Sequence, residues 1–252
     1  MSRRRRRKPP VEMTLTVETL SNESRGIAHH DGKPVFIDGA LPGEVVRCQT
    51  TKRSSKYDSA RVMEVIEASP ERVIPRCEVA DTCGGCSLQH MSEESQLAAK
   101  QQALLDMLRQ NGRVEPAKLL PPLVGSSWNY RRKARLGVRV VPKKGGVLVG
   151  FREQNSSYIT VMDKCDVLDR RFSELILPLR ELIEKLSVAS RIPQIELSAG
   201  DDSAVLVFRH LVPLAEQDHE ILTQFAKDTG LAVMTQAGGP DSVLPLYPQN
   251  IG

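Results

Sequence analysis

No window of this 252-residue sequence approaches the roughly 18 uninterrupted apolar residues a membrane-spanning helix needs, and its early arginines lead into no apolar stretch. Neither a membrane span nor a secretory signal is therefore expected, and the default compartment is the cytoplasm. No internal repeat occurs, and low complexity is confined to the arginine-rich start. The five cysteines are an odd number in a chain of this size, which argues against a disulfide framework. With 40% hydrophobic residues the chain can bury a core, or two small ones, and is expected to fold as a soluble globular protein.

The formal charge is +4, yet residues 3–8 carry six positive charges, leaving about −2 for everything after them. The basic character is thus mostly that of a tail. Five arginines and a lysine before Pro9-Pro10 repel one another and bury nothing, so residues 1–10 are expected to be disordered. Such an arm either touches nucleic-acid phosphates or is simply solvated.

From Val11 to Pro70, short β-like runs (residues 13–17, 35–37, 45–50 and 60–65) alternate with Asp31-Gly32, Asp38-Gly39 and Leu41-Pro42-Gly43. This is the pattern of a small closed β-barrel of the OB type, a fold that binds single-stranded nucleic acid. Lys52, Arg53 and Lys56, next to Tyr57, would suit a binding loop or an ordinary hairpin tip. Beyond the barrel, helices are expected over 92–110, 172–186 (kinked or split by Pro178) and 216–228. Strands are expected over 134–141, 146–151, 158–162, 194–197 and 204–210, giving a mixed α+β domain. Pro142-Lys143-Lys144-Gly145-Gly146 is read as a hairpin turn.

Cys77, Cys83 and Cys86 form C-x5-C-x2-C, and the glycines of Cys83-Gly84-Gly85-Cys86 allow the sharp turn that brings two thiolates onto one centre. Cys165 is the best fourth ligand, because the hairpin before it can return the chain to the first loop. Cys48, in phase with Val46, belongs inside the barrel. A thioredoxin-like pair does not suit a third cysteine just upstream. Zinc and iron-sulfur both remain open on spacing, with zinc slightly ahead on chemistry alone.

From Trp128 to Gly150 there are seven basic residues and no acidic one. Trp128, Tyr130, Arg131, Arg132, Lys133 and Arg135 combine stacking rings with phosphate-neutralising charge, as unpaired RNA requires, although a solvated strand edge would look similar. His29 and His30, adjacent on a strand before a turn, are read as surface residues.

These stretches together resemble the RumA/RlmD-type RNA 5-methyluridine methyltransferases. The motifs are Ser24-Arg25-Gly26-Ile27-Ala28, Leu41-Pro42-Gly43-Glu44, Ser69-Pro70-Glu71-Arg72, Pro75-Arg76-Cys77, and Cys83-Gly84-Gly85-Cys86-Ser87-Leu88-Gln89-His90. They continue through Trp128-Asn129-Tyr130-Arg131-Arg132-Lys133-Ala134-Arg135-Leu136, Gly150-Phe151-Arg152 and Lys164-Cys165. The resemblance implies a TRAM barrel and a [4Fe-4S] cluster on Cys77, Cys83, Cys86 and Cys165, with zinc as runner-up. It also implies a central domain that grips 23S ribosomal RNA, and SAM-dependent methylation of a uridine. In that family a cysteine thiolate attacks C6 of uracil, C5 takes the methyl group, and a carboxylate helps remove the C5 proton.

The expected fold is therefore α+β. A basic tail (1–10) precedes an OB-like TRAM barrel (11–70) and an iron-sulfur and RNA-binding central domain of mixed α/β type (71–252). The C-terminal Rossmann-like methyltransferase domain is expected to be absent. Gly238-Gly239 lacks the pattern and the preceding strand of a SAM loop, so no catalytic residue and no SAM site are expected, and a cytoplasmic, monomeric, catalytically inactive chain follows. The competing expectations are a free-standing RNA-binding iron-sulfur or zinc module and a zinc-stabilised RNA chaperone.

Overall fold

The computed structural model describes residues 9–249, so the expectation for the arginine tail lies almost wholly outside the described residues. By internal contacts the chain divides into two units, residues 1–81 with 86–122 and residues 82–85 with 123–252. The four-residue insert 82–85, which includes Cys83, thus belongs to the second unit.

The first unit is built on six strands: β1 (Glu12–Thr16), β2 (Thr19–Leu20), β3 (Gly26–His30), β4 (Lys33–Asp38), β5 (Val45–Arg53) and β6 (Asp58–Glu67). They hydrogen-bond in the order β1-β5-β6-β4-β3-β2, with only β4 and β6 parallel. The two edge strands, β1 and β2, are consecutive in the chain, and the Glu18 N–H donates to the Ile27 carbonyl between them, so the sheet curls into a barrel. Register shifts along β5 supply extra coiling. Strict alternation puts Met13, Leu15, Ala28, Val35, Ile37, Val46, Cys48 and Ala60 inside. Burial pushes the Cys48 thiol up to about 11, in keeping with an inert core residue.

Helix α1 (Glu93–Met107) follows, its first turn capped by the Ser92 hydroxyl, which accepts from the Ser95 N–H. It ends in a wider turn over Leu108–Gly112 and a left-handed Arg113 (φ 51°).

The second unit contains β7 (Lys133–Val141), β8 (Gly146–Gly150), α2 (Arg170–Ser173), α3 (Ile176–Lys185), β9 (Gln194–Ala199), β10 (Ala204–Arg209), α4 (Glu216–Thr229), β11 (Ala232–Gln236) and β12 (Val243–Tyr247). The sheet order is β12-β11-β10-β9-β7-β8, antiparallel throughout except β10 with β11. Leu136, Ile195, Leu197, Leu206, Phe208 and Val233 form one buried face. The apolar stripes of α3 (Ile176, Leu179, Leu182, Ile183) and α4 (Leu222, Ala226) are buried with it.

Several expectations are corrected. Two six-stranded sheets dominate, with four α-helices among the described residues, so a mixed α/β central domain overstated the helix. Residues 158–162 make only an isolated bridge, Ile159 with Arg152, because Ile159 crosses over Gly137, where a side chain would collide with it. The helix expected over 172–186 is split into α2 and α3, one of the two outcomes expected there, but not at Pro178. The break falls at Glu174 and Leu175, and the proline sits in the first turn of α3, where a missing N–H leaves no hydrogen bond unmade. Strands β2, β3, β11 and β12 were not anticipated.

Candidate functional site

In the second unit the cysteine loop is held by backbone pairing. The Gly84 N–H donates to the Arg152 carbonyl (2.8 Å), the Gln154 N–H donates to the Thr82 carbonyl (2.8 Å), and Cys83 bridges Glu153. Glycine is required at this approach: a Cβ on Gly84 would lie 2.9 Å from the Arg152 carbonyl oxygen, and one on Gly85 would lie 3.3 Å from the Phe151 ring. The Gly85 N–H donates to Cys83 Sγ at 3.4 Å.

Cys165, also buried, sits in a turn whose N–H donates to Ser173 and whose carbonyl accepts from Leu168. Residues 129–131 run beside that turn: Asn129 N–H to the Asp166 carbonyl (2.9 Å), Arg131 N–H to the Val167 carbonyl (2.8 Å), and Asp169 N–H back to the Arg131 carbonyl (3.0 Å). The Arg131 guanidinium meanwhile donates to the Gly85 carbonyl at 3.0 Å and lies over the rings of Phe151 and Tyr130. A single arginine therefore ties the Cys83 loop to the Cys165 turn, a role that composition had read only as positive charge. The Asp169 carboxylate caps α2 and holds Arg171, whose guanidinium lowers the Asp169 pKa to about 2.

In the first unit, Cys77 and Cys86 are half-buried. The Cys77 N–H donates to the Gln89 side chain, and Leu88 and Met91 pack against Leu41 of the barrel. No disulfide joins any of the cysteines. The proposed ligands thus divide two and two between the units, and among the described residues no group of three or more metal-ligating side chains gathers. The thiol donors and the glycine-cleared loop suit a thiophilic centre in chemistry.

The other candidates are dispersed. Lys52 and Arg53 end β5, Lys56 lies in the tip before β6, and all three are exposed. That tip is closed by the Ser54 hydroxyl, and Tyr57 stacks edge-on against Phe36. Arg132 is paired with Asp201 and Arg135 with Glu196, while Lys133 and Tyr130 are exposed. Trp128 is half-buried. His29 is exposed and pairs with Glu18. Sequence reasoning gave no role to Glu44, although it closes the motif Leu41-Pro42-Gly43-Glu44; it is fully buried and held by Arg72 and by the Leu41 and Ser69 N–H groups. Among the described residues no helix is long and apolar enough to cross a membrane.

Comparison with known proteins adds three findings. Residues 7–63 match the TRAM domain model. Over 238 residues the chain is 50% identical to the 23S rRNA (uracil(1939)-C(5))-methyltransferase RlmD of Alkalilimnicola ehrlichii, covering 94% of this chain and 54% of that protein. Over 232 residues it is 51% identical to the protein of the same name from Bordetella pertussis, covering 92% and 50%. The chain therefore spans about half the length of these curated relatives. The crystal structure of Pyrococcus abyssi tRNA (uracil-54, C5)-methyltransferase with S-adenosyl-L-homocysteine shares the fold at a TM-score of 0.63 and 18% identity, over 91% of this chain and 52% of that one. This match corrects two expectations. Nine-tenths of the chain has the fold of a methyltransferase structure, so the account of a chain set apart from the methyltransferase fold, with its catalytic domain missing, is withdrawn.

Proposed function

We propose that this chain is part of a SAM-dependent uracil-C5 methyltransferase that forms 5-methyluridine in 23S ribosomal RNA. The observation that carries this reading is roughly 50% identity across more than nine-tenths of the chain to enzymes of that name. The TRAM match and the exposed cations of the barrel tip, Lys52, Arg53 and Lys56, support an RNA-gripping role for the first unit. Trp128, Tyr130, Arg132, Lys133 and Arg135 remain the proposed contacts of the second, whereas Arg131 positions the cysteine loop. A cytoplasmic location follows from the substrate. Disrupting the gene that encodes the chain should remove one 5-methyluridine from 23S ribosomal RNA, and re-expression should restore it, as read by nucleoside mass spectrometry. An unchanged 5-methyluridine content refutes the proposal.

Cys77, Cys83, Cys86 and Cys165 are proposed to hold a [4Fe-4S] cluster, which would staple loops distant in sequence. Support comes from the cysteine spacing, the close glycine contacts at Gly84 and Gly85, and the link that Arg131 makes between the Cys83 loop and the Cys165 turn. Anaerobically purified protein should be brown with about four irons; a colourless protein with stoichiometric zinc would assign the thiolates to zinc.

A further inference from the structure

The second sheet has one face covered by α3 and α4, and its other face, crossed by Ile159 at Gly137, continues beyond Lys133 and Arg135 into residues that the sites above leave unused. Alternation puts Lys133, Arg135 and Arg139 of β7 on that face, with Glu196 of β9 and Arg209 of β10. Four cations thus share it with one acid, and that acid is already engaged by Arg135 (3.0 Å) and the Gln194 amide (2.8 Å). The cross-strand register aligns Gln194, Arg209 and Gln236 in a single row, with Val207 and Met234 in the next. The Arg209 side chain takes part in none of the described ion pairs, and its Nε is buried with no hydrogen-bond partner. An arginine held between two amides, with no acceptor for a buried N–H, carries a desolvation cost that an incoming anionic oxygen would relieve. The half-buried strip of Val205, Val207 and Met234 beside it offers an apolar floor for bases.

We propose that the part of this face centred on Arg209 is a docking surface for a single RNA strand, with a backbone phosphate seated on Arg209. The inference rests on the RNA-methyltransferase reading above and carries the RNA contact of Lys133 and Arg135 across the sheet to Arg209, which lies outside the Trp128–Arg135 stretch. The argument for RNA as occupant is charge complementarity: one sign of charge in excess, its only acid neutralised, and a donor left over.

The test is fluorescence anisotropy of the full chain with a labelled, unstructured uridine-rich RNA across a salt series. Arg209→Gln should weaken binding about tenfold and reduce the salt slope by about one, whereas Lys185→Gln on the exposed side of α3 should change neither. Arg209→Lys should fall between, since it keeps the charge but loses the planar fork. Photocrosslinking the unmutated protein to RNA containing 4-thiouridine, followed by peptide mapping, guards against a variant that misfolds: crosslinks within 204–209 or 232–236 support the proposal. If the chain binds RNA and Arg209→Gln binds it equally with the same slope, the Arg209 surface is refuted while the RNA reading stands. If the unmutated chain binds no RNA, that reading fails and the surface with it. Binding of poly-glutamate but not RNA, lost in Arg209→Gln, would assign the face to an acidic protein instead.

Discussion

Each unit buries one carboxylate completely, and the two are neutralised by different means. In the first unit Glu44 accepts from the Leu41 and Ser69 N–H groups and forms an ion pair with Arg72, which also donates to the Gly39 carbonyl. In the second, Asp218 meets no cation at hydrogen-bonding distance. It accepts from the Ser187 N–H (2.7 Å), the Ser187 hydroxyl (2.8 Å) and the Ala215 N–H (3.0 Å) at the start of α4. Burial alone would raise both pKa values, yet both are lowered, because in each case the hydrogen bonds outweigh desolvation. The contrast shows that a charge can be kept inside this protein either by a counter-charge or by oriented neutral donors, here the Ser187 N–H and hydroxyl and the Ala215 N–H. The two solutions should fail differently.

The largest effect is expected in the first unit. Arg72→Met removes the counter-charge but leaves Glu44 buried, so the barrel should lose about 3 kcal/mol, the cost of breaking a buried pair from one side. Hydrogen exchange across residues 12–67 would report it. Adding Glu44→Gln should recover part of the loss, because the stranded charge is gone; if the double variant is no more stable than Arg72→Met, the ion pair is not what fixes the barrel to Arg72. Asp218→Ala comes next, at about 2 kcal/mol, since three donors lose their acceptor without any charge being stranded. Protection in α4 should fall first, and an unaltered denaturation midpoint would break the comparison.

The sheets were more legible in the sequence than these anchors. Period-two alternation exposed β1, β4, β5 and β6, and the Gly145-Gly146 turn between β7 and β8 was signalled by chemistry that the positive φ angles of both glycines bear out. Strand β3 stayed hidden because Gly26-Ile27-Ala28-His29-His30 mixes a glycine and polar residues, and pairing with β4 decided it. Arg131 illustrates why the site was only partly readable. Its charge was visible, but its position between Gly85, Phe151 and the Cys165 turn depends on contacts 20 to 46 residues away in sequence. The Glu44–Arg72 pair likewise joins two motifs that had been quoted separately.

Acid should distinguish the units as well. His90 lies near Arg72 and Glu44 with an unpartnered buried Nε2, and burial, assisted by Arg72, pushes its pKa down to about 4. Because the folded value lies below the ordinary 6.5, the unfolded chain takes up a proton first. Stability from the neutral ring is complete above pH 6.5 and declines as pH falls toward 4. His90→Leu should therefore flatten the barrel's stability between pH 6.5 and 4 while barely altering it at pH 8. The second unit, where Asp169 titrates only near pH 2, should show little change over that range from this source. An equally steep decline in the His90→Leu barrel would remove His90 as its cause.

The smallest effect belongs to Ser187→Ala. The variant deletes one of the three hydrogen bonds to Asp218 and leaves the Ser187 and Ala215 N–H groups bonded to it. A neutral donor to a charged acceptor contributes about 1.5 kcal/mol, and two backbone donors remain to hold the carboxylate ionised, so a loss of about 1 kcal/mol is expected. Because the hydroxyl helps keep the Asp218 pKa low, its removal should also raise that pKa, so that the acid transition of α4 begins at a higher pH. A loss as large as that of Asp218→Ala would mean that the hydroxyl, rather than the Ser187 and Ala215 N–H groups, is what makes a cation unnecessary there. The two units would then differ only in which side chain answers the buried charge.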